Sequence, residues 1–63
     1  MIIDIKLQTL LEDRKEAHVK ELNVHALILQ EKGHTSETIN NTGAYYLHLG
    51  AIQELNLILK PFN

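Results

Sequence analysis

From Ala44 to Leu59, apolar residues return at three- and four-residue steps: Ala44, Leu47, Ala51, Ile52, Leu55, Ile58 and Leu59. That spacing lines one side of an α-helix, and such a stripe needs an apolar surface to cover it. Upstream, Ile5 to Lys32 contains neither Pro nor Gly and is dominated by Leu, Glu, Lys, Gln and Ala, all good helix formers. At about 1.5 Å per residue this segment makes a rod of roughly 42 Å. Its apolar side runs through Leu7, Leu10, Leu11, Ala17, Leu22, Val24, Ile28 and Leu29, with Gln8, Glu12, Lys15, Glu16, Lys20, Asn23 and Gln30 largely away from it. Glu16 and Lys20 stand four apart in the favourable order, which marks a solvated face.

The ends of both helices are legible from local chemistry. Asp4 is placed to cap the first helix, because its carboxylate accepts from the unpaired N–H groups of the first turn. Lys32 followed by Gly33 sets a cation in the last turn and a left-handed residue just after it. Between them and the second stripe, His34 to Thr42 is rich in Thr, Ser and Asn, whose side chains compete for backbone hydrogen bonds. Ser36 and Asn41 or Thr42 are alternative caps for the second helix, and the poor helix formers Asn40 to Gly43 favour the later start. Pro61 disfavours helical backbone at Lys60, which ends the second helix and leaves Phe62 to fold back. The reading is one all-α domain over residues 1–63, an antiparallel two-helix hairpin. Helix one covers about 4–32, the connection 33–42 and helix two about 43–60.

Two helices cover one side of each other, so their flanks should be polar. Here Tyr45, Tyr46, Leu49 and Leu57 point away from the second stripe, and Val19 and Leu27 from the first. The surplus predicts an isologous dimer with a four-helix arrangement, or a docking site for another protein. Gly50 inside the second helix requires a snug crossing with the first helix, a tolerated defect, or a recess floored by glycine beside Tyr46.

Size and charge narrow the classes further. A chain of 63 residues buries only roughly 60% of its unfolded surface, and without cysteine neither a disulfide nor a thiolate zinc site staples it. A formal charge of -2 disfavours a domain gripping nucleic acid through phosphates. Arg14 is the only Arg, and neither helix presents a basic groove-reading face. Lack of a long apolar run or a cationic amphipathic face predicts no membrane role, and a soluble cytoplasmic protein.

Arg14, His18, Glu21 and His25 follow at steps of four, three and four, sharing one side of helix one within its apolar stripe. They read as a hydrogen-bonded structural seam, or as a polar strip that fixes register at an interface. Three of them converging on a metal is disfavoured, since His18 and His25 stand nearly two turns apart and no HExxH spacing occurs. His34 and His48 read as ordinary surface or boundary residues. No nucleophile, phosphate loop or pocket-forming pattern points to catalysis, so no catalytic residue, metal or cofactor is expected. The interaction residues expected are Arg14, His18, Glu21 and His25, with Tyr45, Tyr46 and Leu49 as apolar contacts.

In length and in both ends, Met1-Ile2-Ile3-Asp4-Ile5-Lys6 and Lys60-Pro61-Phe62-Asn63, the chain resembles the small accessory proteins encoded between the exo and xis genes of lambdoid bacteriophages. The resemblance implies a non-enzymatic early phage protein in the bacterial cytoplasm. It implies a host protein as partner, a shift in host replication or cell-cycle control, and lysogenic development favoured. It transfers no functional residue.

Overall fold

In the computed structural model, which describes residues 3–62, two antiparallel helices lie side by side: α1 (Ile5–Lys32) and α2 (Ile39–Leu59). A 3₁₀ turn at Ser36–Thr38 joins them, and a second at Lys60–Phe62 closes the chain. No strand occurs among the described residues. Met1, Ile2 and Asn63, which bound the two terminal sequences quoted above, lie outside the described residues. The hairpin is a rod of 45 × 14 × 13 Å.

Both ends of α1 form as the side-chain chemistry requires. The Asp4 carboxylate accepts from the Leu7 N–H at 3.0 Å, and Gly33 at φ 75° donates its N–H to the Leu29 carbonyl at 2.8 Å. The exposed Glu16–Lys20 pair is present at 3.8 Å, a contribution of a few tenths of a kcal/mol.

The second helix begins earlier than the run Asn40 to Gly43 suggests, at Ile39, and the connection shrinks to residues 33–38. Neither Ser36 nor Asn41 nor Thr42 starts it. The cause is Thr38, whose side chain is 1% exposed. Its hydroxyl donates to the Gly33 carbonyl at 2.7 Å and accepts from the Thr35 N–H at 2.9 Å, closing a capping box with Thr35. These bonds fix the reversal and satisfy the groups that the end of α1 and the start of the next turn leave open. Once the chain is turned, tertiary packing carries α2 through Asn40, Asn41 and Thr42 despite their low propensity.

The seam between the helices follows two heptad-like lines. From α1 it takes Leu11, Lys15, His18, Leu22, His25 and Leu29; from α2 it takes Asn41, Tyr45, His48, Ile52, Leu55 and Leu59, continued by Phe62. The His18–His48 and His25–Asn41 pairs set the register, in which residue n of α1 lies opposite residue 66 − n of α2. The buried apolar core is Leu29, Ile52, Leu55, Leu59 and Phe62, each contributing about 1.5–3 kcal/mol. Phe62 folds back as Pro61 allows.

This seam corrects both expected stripes. Leu11, Leu22 and Leu29 face the partner helix, whereas Leu10 and Val24, each 51% exposed, and Ala17 do not. On α2, Leu47 is 71% exposed and Ile58 51%. Tyr45 and Leu49, expected to point away, are half-buried, as is Val19. Each apolar stripe is wider than one neighbouring helix covers, and the helices have rolled so that histidines enter the seam and leucines leave it. Gly50 faces open space, with nothing within 4 Å of an added Cβ, so no close crossing explains it.

Two substitutions check this description by chemical or thermal unfolding. Thr38→Val removes the hydroxyl but keeps the shape, stranding the Thr35 N–H and the Gly33 carbonyl, and should cost about 1–3 kcal/mol. Gly50→Ala should stabilise by about 0.5–1 kcal/mol; a loss of stability there would show that an unseen neighbour needs the glycine.

Candidate functional site

Midway along the rod, three imidazoles from two helices meet. Because His18 and His25 stand seven residues apart on α1, both fall on the seam within about 20° of one another, and His48 of α2 reaches in between. The His18 and His48 Nδ1 atoms are 2.8 Å apart, with ring centroids at 5.1 Å. His25 stacks on His48, centroids 5.9 Å apart and planes inclined by 14°. His25 Nδ1 lies 3.0 Å from Asn41 Oδ1.

These contacts constrain protons. With Asn41 Oδ1 facing it, a neutral His25 donates from Nδ1 and presents a bare Nε2. Between His18 and His48, one Nδ1 must donate and the other accept, so the pair cannot both be protonated at Nδ1. Glu21, exposed at the rim of the seam, offers a carboxylate to the same region: ligand atoms of Glu21, His25 and His48 all lie within 4.8 Å of one another.

The expected polar strip is therefore divided. His18 and His25 are half-buried in the seam, whereas Arg14 and Glu21 are exposed on one flank. Tyr45 and Tyr46 pack edge to face at 5.3 Å, Tyr45 at the seam and Tyr46 outside it. Together with Leu49 they occupy the opposite flank, beside a shallow recess lined by Ala26, Leu29, Gln30 and His34. His48 and Asn41, read from sequence as a boundary residue and a cap, are the residues that pattern reading missed. Their signal is the four-three repeat Asn41, Tyr45, His48, Ile52, Leu55, Leu59, which a search for apolar residues alone does not see.

The flank carrying Arg14 and Glu21 also carries small and aliphatic side chains, interspersed with Lys6, Asn40 and Glu54. At about 100° per residue, Leu10, Ala17 and Val24 share it on α1, and Ala44, Leu47, Ala51 and Ile58 share it on α2. In an antiparallel pair, equivalent flanks of the two helices fall on one side of the hairpin. The opposite flank is more polar, with Glu12, Lys15, Glu16, Val19, Asn56 and Leu59 around an open recess.

No protein-family model, curated protein or solved structure matches the chain.

The seam histidines are measurable by substitution. His48→Ala leaves the His18 ring without its partner and opens a gap, a loss of about 1–3 kcal/mol. His18→Leu/His48→Leu replaces both polar groups with apolar ones and should be at least as stable as the natural chain. A double variant that fails to fold would show that the imidazole pair holds the hairpin together.

Proposed function

We propose that the chain is a non-enzymatic protein-interaction module whose working form is an isologous dimer, two hairpins pairing through the Leu10, Val24, Leu47 and Ile58 flank into a four-helix bundle. The observation that carries this reading is the exposure of those large aliphatic side chains on one side of the rod while histidines occupy its interior.

The flank also complements itself. Arg14 and Glu21 lie on either side of Ala17, so a two-fold axis passing near Ala17 sets Arg14 of each copy against Glu21 of the other, with Leu10 near Val24. The small Ala17 lets the two first helices approach at the centre. Arg14 and Glu21 then act as the register-fixing pair expected from sequence.

The resemblance to the exo to xis accessory proteins supplies the biological setting. In this proposal the dimer is an early phage regulator that engages a host factor of replication or the cell cycle and favours lysogeny. The two ends of the chain and its length are what support that part.

Sedimentation over a range of concentrations tests the dimer. The natural chain should shift from monomer to dimer, and Leu47→Glu should weaken association more than a hundredfold, from two lost leucine burials of about 1.5–3 kcal/mol each. Leu57→Glu, on the outer side of α2, should leave it unchanged. A monomer at every concentration, or a dimer indifferent to Leu47→Glu, contradicts the proposal. For the biological part, a phage carrying Leu47→Glu should form lysogens less often than its parent, and equal frequencies would count against a regulatory role.

A further inference from the structure

We infer that Glu21, His25 and His48 form a binding site for one divalent transition-metal ion, with Zn²⁺ the best match, that clamps α1 to α2. The ligand set is two imidazoles and one carboxylate from both helices, and their ligand atoms already lie within 4.8 Å of one another. Two nitrogen donors and one oxygen donor suit Zn²⁺ and its neighbours and leave a fourth position for water. Metal bonds of about 2.1 Å in tetrahedral geometry need ligand atoms about 3.4 Å apart. From separations of up to 4.8 Å the closure needed is up to about 1.4 Å, met by movement of the exposed Glu21 side chain and by turning of the His25 and His48 rings, whose planes are inclined by only 14°.

The outer contacts are what distinguish this cluster from three residues that merely lie near each other. A ligating histidine ordinarily gives its other ring N–H to an oxygen or nitrogen that holds it in place. Asn41 Oδ1 accepts from His25 Nδ1 at 3.0 Å when a metal takes its Nε2. His18 does the same for His48, whose Nδ1 donates across 2.8 Å when a metal takes its Nε2. His18 is therefore a positioning residue here, and its seven-residue spacing from His25 is no obstacle. The third ligand comes from the other helix, which is why a search along α1 alone does not find the site. A chain of this size without cysteine gains from such a clamp, since metal affinity adds directly to folding stability. Ligation uses one Glu21 carboxylate oxygen and leaves the other for Arg14 of a second copy, so the site does not depend on the dimer proposed above.

The test is titration of the untagged 63-residue chain with Zn²⁺, followed by calorimetry and thermal unfolding, and with Co²⁺, followed by visible absorption. One ion per chain should bind, and Zn²⁺ at a hundredfold excess over its dissociation constant should raise Tm by about 10–20 °C, with no effect of Mg²⁺. Glu21→Gln and His25→Gln, each folded in chelator by circular dichroism, should abolish the saturable binding, and Asn41→Ala should weaken it about 10- to 100-fold. His34→Gln, in the connection, should bind like the natural chain. Leu47→Glu should also keep one ion per chain, which separates failure of the metal site from failure of the dimer. No saturable binding, binding that survives Glu21→Gln and His25→Gln, or binding lost with Leu47→Glu would each overturn the inference.

Discussion

The packing of α1 on α2 along two heptad-like lines sets every other feature of this molecule. A two-helix seam has one row of positions per helix. Here those rows include Lys15, His18 and His25 on one side and Asn41, Tyr45 and His48 on the other. Apolar burial is concentrated toward the end where Leu55, Leu59 and Phe62 gather, with Leu29 closing the end at the turn. The middle is held by imidazole contacts instead. Hydrogen-bonded polar layers add less stability than aliphatic ones, but they specify register, because a slip by one turn strands every donor. The reversal at Thr38 fixes the same register from the other end, through bonds to Gly33 and Thr35.

From this seam follows the exposed flank. Had the helices rolled to bury Leu10, Val24, Leu47 and Ile58, the histidines would face water and the hairpin would have a stronger core. The observed roll does the reverse and leaves Leu10, Val24, Leu47 and Ile58 exposed on one flank, with Arg14 and Glu21 among them. An exposed stripe of this kind is the surface that the proposed dimer would cover. In the dimer proposed above, the hairpin's own seam becomes one of several in a four-helix core, and the polar middle layer sits where it defines register at modest cost.

The fold was legible in the sequence because its signals are local. A Pro- and Gly-free run, Asp4 before it, Lys32-Gly33 after it and Pro61 at the far end define two helices and their order, and a short polar connection makes them antiparallel. What was not legible depends on pairing. The start of α2 at Ile39 rests on a buried threonine whose partners lie across the turn, and propensity alone assigns Asn40 to Gly43 to a loop. The roll of the helices is not legible for a related reason: with apolar residues around most of each circumference, hydrophobic period does not choose which row faces the partner. Leu47 and Leu10 fit a stripe as well as Ile52 and Leu11 do. Of the candidate residues, His18 and His25 were found by their polar intrusion into a stripe. His48 and Asn41 were not, since their role exists only opposite α1.

The central claim is that the flank carrying Leu10, Val24, Leu47 and Ile58 is an interface between copies. The most direct measurement is isotope-filtered nuclear magnetic resonance on a mixture of labelled and unlabelled chains, which sees only contacts between different molecules. The account predicts intermolecular methyl contacts among those four side chains, with Leu10 near Val24. Intermolecular contacts centred instead on Tyr46 and Leu57, or none at concentrations where the chain is associated, would contradict it.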